Sequence, residues 1–119
     1  MPDKAEIEAF RTNGVTVLRG ILSPEWLRQL ESAIEENMAT PGPYGKNHTE
    51  AGRPGAYFGD YVNWQRIHAF KDVCDQGPLG EIAGKLMQAE RTQLFHEHVL
   101  VKEPGTADPT PWHQDLPYY

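Results

Sequence analysis

Thr92-Gln93-Leu94-Phe95-His96-Glu97-His98-Val99-Leu100-Val101-Lys102 is the stretch whose reading decides the fold. Successive strand residues point to opposite faces, so Leu94, His96, His98 and Leu100 share one side and Phe95, Val99 and Val101 the other. Both sides are substantially apolar, which predicts a long strand interior to a sheet or sandwich. Pro104-Gly105 ends it. A single strand cannot hide its own apolar faces, so other elements must cover them.

Working outward towards residue 1, the covering elements are helices. Pro78 opens one, with Leu79, Ile82, Ala83, Leu86 and Met87 at the spacing of one buried face. A stronger one begins at Ser23, a good N-cap, with Pro24 in the first helical position. Its stripe is Trp26, Leu27, Leu30, Ala33, Ile34 and Met38, and Pro41-Gly42-Pro43 stops it. A third helix starts at Asp3, with Glu6 completing a capping box and Gly14 as terminator. Val15-Thr16-Val17-Leu18 reads as a short strand. From Pro41 to Gly59 no period is visible, which predicts a long loop of the kind used as a lid or binding loop. The helices can cover one sheet face. The other calls for a second sheet, and hardly any sequence remains to build it.

Composition narrows the function. The 119 residues fit one domain, 1–119. Lys and Arg total 11 against 17 Asp and Glu, a net charge of -6, which argues against a nucleic-acid partner. No run approaches the roughly 18 apolar residues of a membrane span. The opening residues have no basic segment leading into an apolar stretch, so a cytoplasmic location is expected. Cys74, the single cysteine, can close no intrachain disulfide. Nothing resembles a phosphate loop, a Ser-His-Asp set or a nucleophile elbow.

The sharpest chemical pattern is His113-Gln114-Asp115. On an extended segment, residues two apart point the same way, so an imidazole and a carboxylate converge. With a distant second His they would form the two-His-one-carboxylate triad of non-haem Fe(II) sites. A rival metal pattern is His96-x-His98 with Glu103, as in cupins, although Glu103 has odd spacing from both histidines. His48 and His68 read as surface or structural histidines.

The stretch Leu100-Val101-Lys102-Glu103-Pro104-Gly105-Thr106, followed by Pro111-Trp112-His113-Gln114-Asp115, resembles the phytanoyl-CoA dioxygenase family of Fe(II)- and 2-oxoglutarate-dependent oxygenases. The order of elements, from about Ile7 to Tyr119, is similar too. The resemblance implies an α+β fold, with N-terminal helices packed on part of a double-stranded β-helix (jelly roll). It implies that His113 and Asp115 are metal ligands and that His98, Trp64 and Gln114 lie near the cosubstrate. It implies hydroxylation of a small organic molecule, with no acid–base catalytic residue to name. Halogenating relatives carry Ala or Gly where Asp115 stands, so a hydroxylase is expected. In such enzymes the distal His and an Arg for the cosubstrate lie far downstream. The chain is therefore expected to be an N-terminal portion, inactive alone, with a C-terminal half or a second copy covering the open sheet face. The alternative is a non-catalytic module that keeps the sheet for assembly.

Overall fold

Local sequence signals account for the helices of the computed structural model, which describes residues 1–115. Helix α1 (Lys4–Asn13) starts with the expected capping box: Asp3 accepts the Glu6 amide and Glu6 accepts the Asp3 amide, both at 2.8 Å. It ends at Gly14, whose φ of 72° suits a residue without a β-carbon. Helix α2 (Pro24–Ala39) is capped by Ser23 Oγ, which accepts the Trp26 amide at 3.3 Å. Helix α3 (His68–Gln76) is not announced by the sequence, because it is short and its N-cap, Ile67, has no side chain able to bond the first turn. Helix α4 (Leu79–Met87) follows Pro78 as expected.

The sheet differs from the expectation in three ways. Strands β1 (Lys46–Asn47), β2 (Tyr57–Tyr61) and β3 (His98–Lys102) form one antiparallel sheet in the order β1-β2-β3. The stretch expected to be a loop from Pro41 to Gly59 thus holds β1 and the first half of β2. The long strand expected from Thr92 shrinks to its last five residues. Glu97 is the physical reason: its carboxylate accepts the amides of Asn63 and Trp64, and its carbonyl accepts the Val62 amide at 3.3 Å. Those bonds fold the chain around the β2–α3 turn, where Val62 has a φ of 62°, and end the ladder. Nor is β3 interior: among the described residues it is an edge strand, and Leu100 is 52% exposed. Val15-Thr16-Val17-Leu18 forms no strand, because no partner lies beside it, and Val15 and Val17 are exposed.

The core lies between one sheet face and two helices. Phe58 and Val99 from the sheet meet Ala33 of α2, Ile67 and Phe70, with Leu30, Ile34, Met38, Trp64 and Val101 packed around them. Burying each large side chain contributes about 1.5–3 kcal/mol. Helix α1 packs on α4 at the periphery and buries no residue fully. The architecture is α+β. The radius of gyration is 16.0 Å, against about 13.5 Å for a compact chain of this length. The principal extents, 48 × 31 × 28 Å, show that the difference is elongation along one axis.

Candidate functional site

The period of two that sends Phe58, Asp60, Val99 and Val101 towards the helices sends their neighbours the other way. The registers arrange those neighbours in three rows: Tyr44, Tyr61 and His98; Lys46, Gly59 and Leu100; His48, Tyr57 and Lys102. Ring contacts bear the rows out. Tyr44 stacks on Tyr61 with centroids 4.4 Å apart, and His98 meets Tyr61 edge-on at 5.3 Å. The His48 ring lies 4.9 Å from Tyr57, and Lys102 Nζ sits 4.6 Å above the Tyr57 ring. At the centre, a β-carbon on Gly59 would lie 2.9 Å from His48 Nε2, so the ring in its present place rests directly on the glycine.

The segment after β3 is clasped to the end of this open face. Lys102 Nζ donates to the Asp108 carbonyl at 2.9 Å, and the Tyr57 and Thr110 hydroxyls are 3.2 Å apart. Thr106 Oγ1 donates to the Ala56 carbonyl at 2.9 Å, and Arg53 pairs with Asp108 at 2.8 Å. This clasp leads directly to His113 and Asp115. Their Nε2 and Oδ1 atoms converge to 3.1 Å, while His113 Nδ1 lies 2.7 Å from the Pro111 carbonyl. A carbonyl can only accept, so Nδ1 carries a hydrogen and Nε2 is the atom turned towards the carboxylate. A lone pair on Nε2 would repel that oxygen unless a proton or a cation lay between them.

A proton meets this requirement as an ordinary histidine–aspartate ion pair, and the spacing also suits two neighbouring metal ligands. Two neighbouring ligands of an octahedral ion with bonds of roughly 2.1 Å stand about 3 Å apart. Ligating histidines commonly donate their other ring N–H to a carbonyl or carboxylate, as His113 does to Pro111. Both side chains are accessible, and no third His, Cys, Asp or Glu joins them among the described residues.

The other expected site residues separate. His98 lies on the open face, and Gln114 is exposed between the two candidate ligands. Trp64 packs against the core cluster on the opposite side of the sheet, so the structure does not bring it to His98. His96 and His98 both approach Tyr61, at 5.6 and 5.3 Å, but they form no metal-holding group with Glu103 among the described residues. His68 begins α3 and is exposed. The Cys74 thiol is pushed up by burial, then by the nearby Glu97 carboxylate, which keeps it protonated and poorly nucleophilic.

Sequence reasoning passed over Asp60, the residue that joins the two faces. Its side chain is fully buried, yet it is held as a carboxylate. Burial alone would push its pKa up. The Gly42 amide and Asn37 Nδ2, each at 2.7 Å, together with Asn63 and the Tyr61 amide at 2.8 Å, outweigh that and hold it below its ordinary value. Arg66 stands 3.9 Å away and also ties Asn63 Oδ1 to the Thr40 carbonyl. This network pins the Thr40–Gly45 loop against α2 and β2 and so carries Tyr44 onto Tyr61. The Asp is visible in the sequence, but its partners are distant along the chain.

No helix among the described residues is long and apolar enough to cross a membrane. A family model described as Phytanoyl-CoA dioxygenase (PhyH) matches residues 10–119. No curated protein and no solved structure matches the chain.

Proposed function

The chain belongs to the phytanoyl-CoA dioxygenase family, and from that membership we propose that it supplies two iron ligands, His113 and Asp115, to a non-haem Fe(II)/2-oxoglutarate-dependent hydroxylase. The observation that carries this reading is the convergence of His113 Nε2 and Asp115 Oδ1 at 3.1 Å, with Nδ1 turned to the Pro111 carbonyl. In such enzymes the bound ferrous ion and 2-oxoglutarate activate O₂ for C–H hydroxylation of a small molecule.

The chain's own residues hold and orient. Pro111 fixes the ring of His113 so that Nε2 faces outward. Lys102, Tyr57 and Thr110 hold the segment that carries both ligands. His98 and Gln114 are the residues we assign to the cosubstrate, His98 as a donor to a carboxylate from the open face. Trp64 has no such support, since it packs in the core. Two protein ligands grip an ion less firmly than the three of a facial triad. With these two ligands the chain is expected to bind metal less firmly than a complete triad does. The jelly roll and a cytoplasmic, single-domain chain belong to the same reading.

Thermal unfolding with redox-inert Co(II) or anaerobic Fe(II) plus 2-oxoglutarate tests it. Metal at about 100 times Kd stabilises the folded chain by about 2.7 kcal/mol. We expect a raised Tm in the wild type and none in the His113→Ala/Asp115→Ala double variant. Equal shifts in both, or none in either, reject the assignment. A non-catalytic assembly module would instead sediment as a stable dimer and ignore the metal.

A further inference from the structure

The chain is acidic overall, yet none of the nine positions on the open sheet face carries a carboxylate. That face instead holds Lys46, His48, His98 and Lys102 among three tyrosines. Its lysines and histidines are not equivalent. Lys102 is engaged by the Asp108 carbonyl and the Tyr57 ring, and His98 sits at the far corner beside Tyr61. Lys46 in β1 and His48 just beyond it remain, one same-face step apart, roughly 7 Å along an extended chain. Both are exposed, and Lys46 makes no ion pair among the described residues. Between them and β3, Gly59 is buried beneath the His48 ring, and Leu100, 52% exposed, is the uncharged floor.

We infer that Lys46 and His48 form an anion-binding subsite on this face for a small organic anion, a carboxylate or phosphate ester, whose apolar part lies over Leu100. Charge complementarity selects the anion: an ammonium and an imidazole stand one step apart on the same face, with no carboxylate on that face to compete. Size selects a small molecule, because three strands and two same-face steps make a platform of roughly 10 by 14 Å. The clasped segment at Asp108 and Thr110 borders one end and Tyr44 the other. The glycine at 59 has a role in this arrangement, since a β-carbon there would stand 2.9 Å from His48 Nε2 and shift the ring. Reading this anion as the hydroxylase's substrate rests on the proposed function; the binding of an anion at Lys46 and His48 does not.

Titration of the metal-free 119-residue chain with succinate and, separately, with inorganic phosphate, followed by the NMR signals of the histidine rings, tests the subsite. We expect a saturable shift at His48 with at least one of the two anions, which also tells carboxylate from phosphate. Lys46→Ala, at an exposed position that leaves the fold intact, should raise the apparent Kd about three- to fivefold. Lys4→Ala, on α1, should leave it unchanged. Gly59→Ala, which displaces the His48 ring, should weaken the His48 response while its circular dichroism stays that of the wild type. No saturable shift with either anion overturns the inference, as does an equal shift with chloride at matched ionic strength or indifference to Lys46→Ala. A metal response with no anion binding would leave the hydroxylase reading standing and sink the subsite. Anion binding with no metal response would do the reverse.

Discussion

The two faces of β2 and β3 are built from alternate residues of the same ten, and they do different work. Phe58, Val99 and Val101 meet Ala33, Ile67 and Phe70, and that side holds the molecule together. Tyr57, Gly59, Tyr61, His98, Leu100 and Lys102 face away from the helices, and they carry the groups that can meet a ligand. A strand's period of two lets a short segment supply a core and a site at once, but it also ties them together. Asp60 is where the tie is closest. It points to the helical side, yet through Gly42 and Tyr61 it determines how the open side is arranged.

Substitutions can separate the faces. The largest effect is expected from Phe70→Ala, which empties a side chain only 4% exposed and should cost about 3–5 kcal/mol in denaturant unfolding. If the faces are separable, whatever fraction stays folded should still respond to metal. Asp60→Asn comes next, at about 1–3 kcal/mol, because buried donors lose a charged acceptor. Its cost should depend on pH. The carboxyl is held below its ordinary value in the folded chain, so its stabilisation is full above that ordinary value of 3.8 and is lost as the pH falls through the lower folded one. Urea midpoints of wild type and variant should therefore draw together on acidification, and a gap independent of pH would show that charge is not what Asp60 contributes.

The smallest stability effect is expected on the open side. Arg53→Ala removes a half-exposed partner of Asp108 and should change stability by no more than about 1 kcal/mol. It should nevertheless weaken the Co(II)-induced rise in Tm, because the clasp holds the segment leading to His113. Loss of stability comparable to Phe70→Ala would mean that the clasp belongs to the core and that the division between faces is wrong.

Legibility followed the range of the interactions. The α1 capping box, the Ser23 cap and the helix after Pro78 were readable because each is decided within a few residues. His113 and Asp115 were readable for the same reason, being two apart on one extended segment. Helix α3 lacks a capping side chain, and β1 has only two residues, so neither left a local mark. Trp64 was expected beside the cosubstrate, but the turn held by Glu97 sends it into the core.

The residues in order were enough to establish the caps and the family. The helical stripes are buried only in part, since Leu27, Leu79 and Met87 are 53%, 43% and 55% exposed. The packing of distant segments decided the rest: that β3 is short and at an edge, that the expected loop holds β1 and the start of β2, and that His48 lies over Gly59. Those outcomes turn on Glu97 bonding backbone 33 and 34 residues away and on Asp60 bonding Asn37 and Gly42, 23 and 18 residues away. Bonds of that range form only once the chain has brought their ends together, and no local pattern records them.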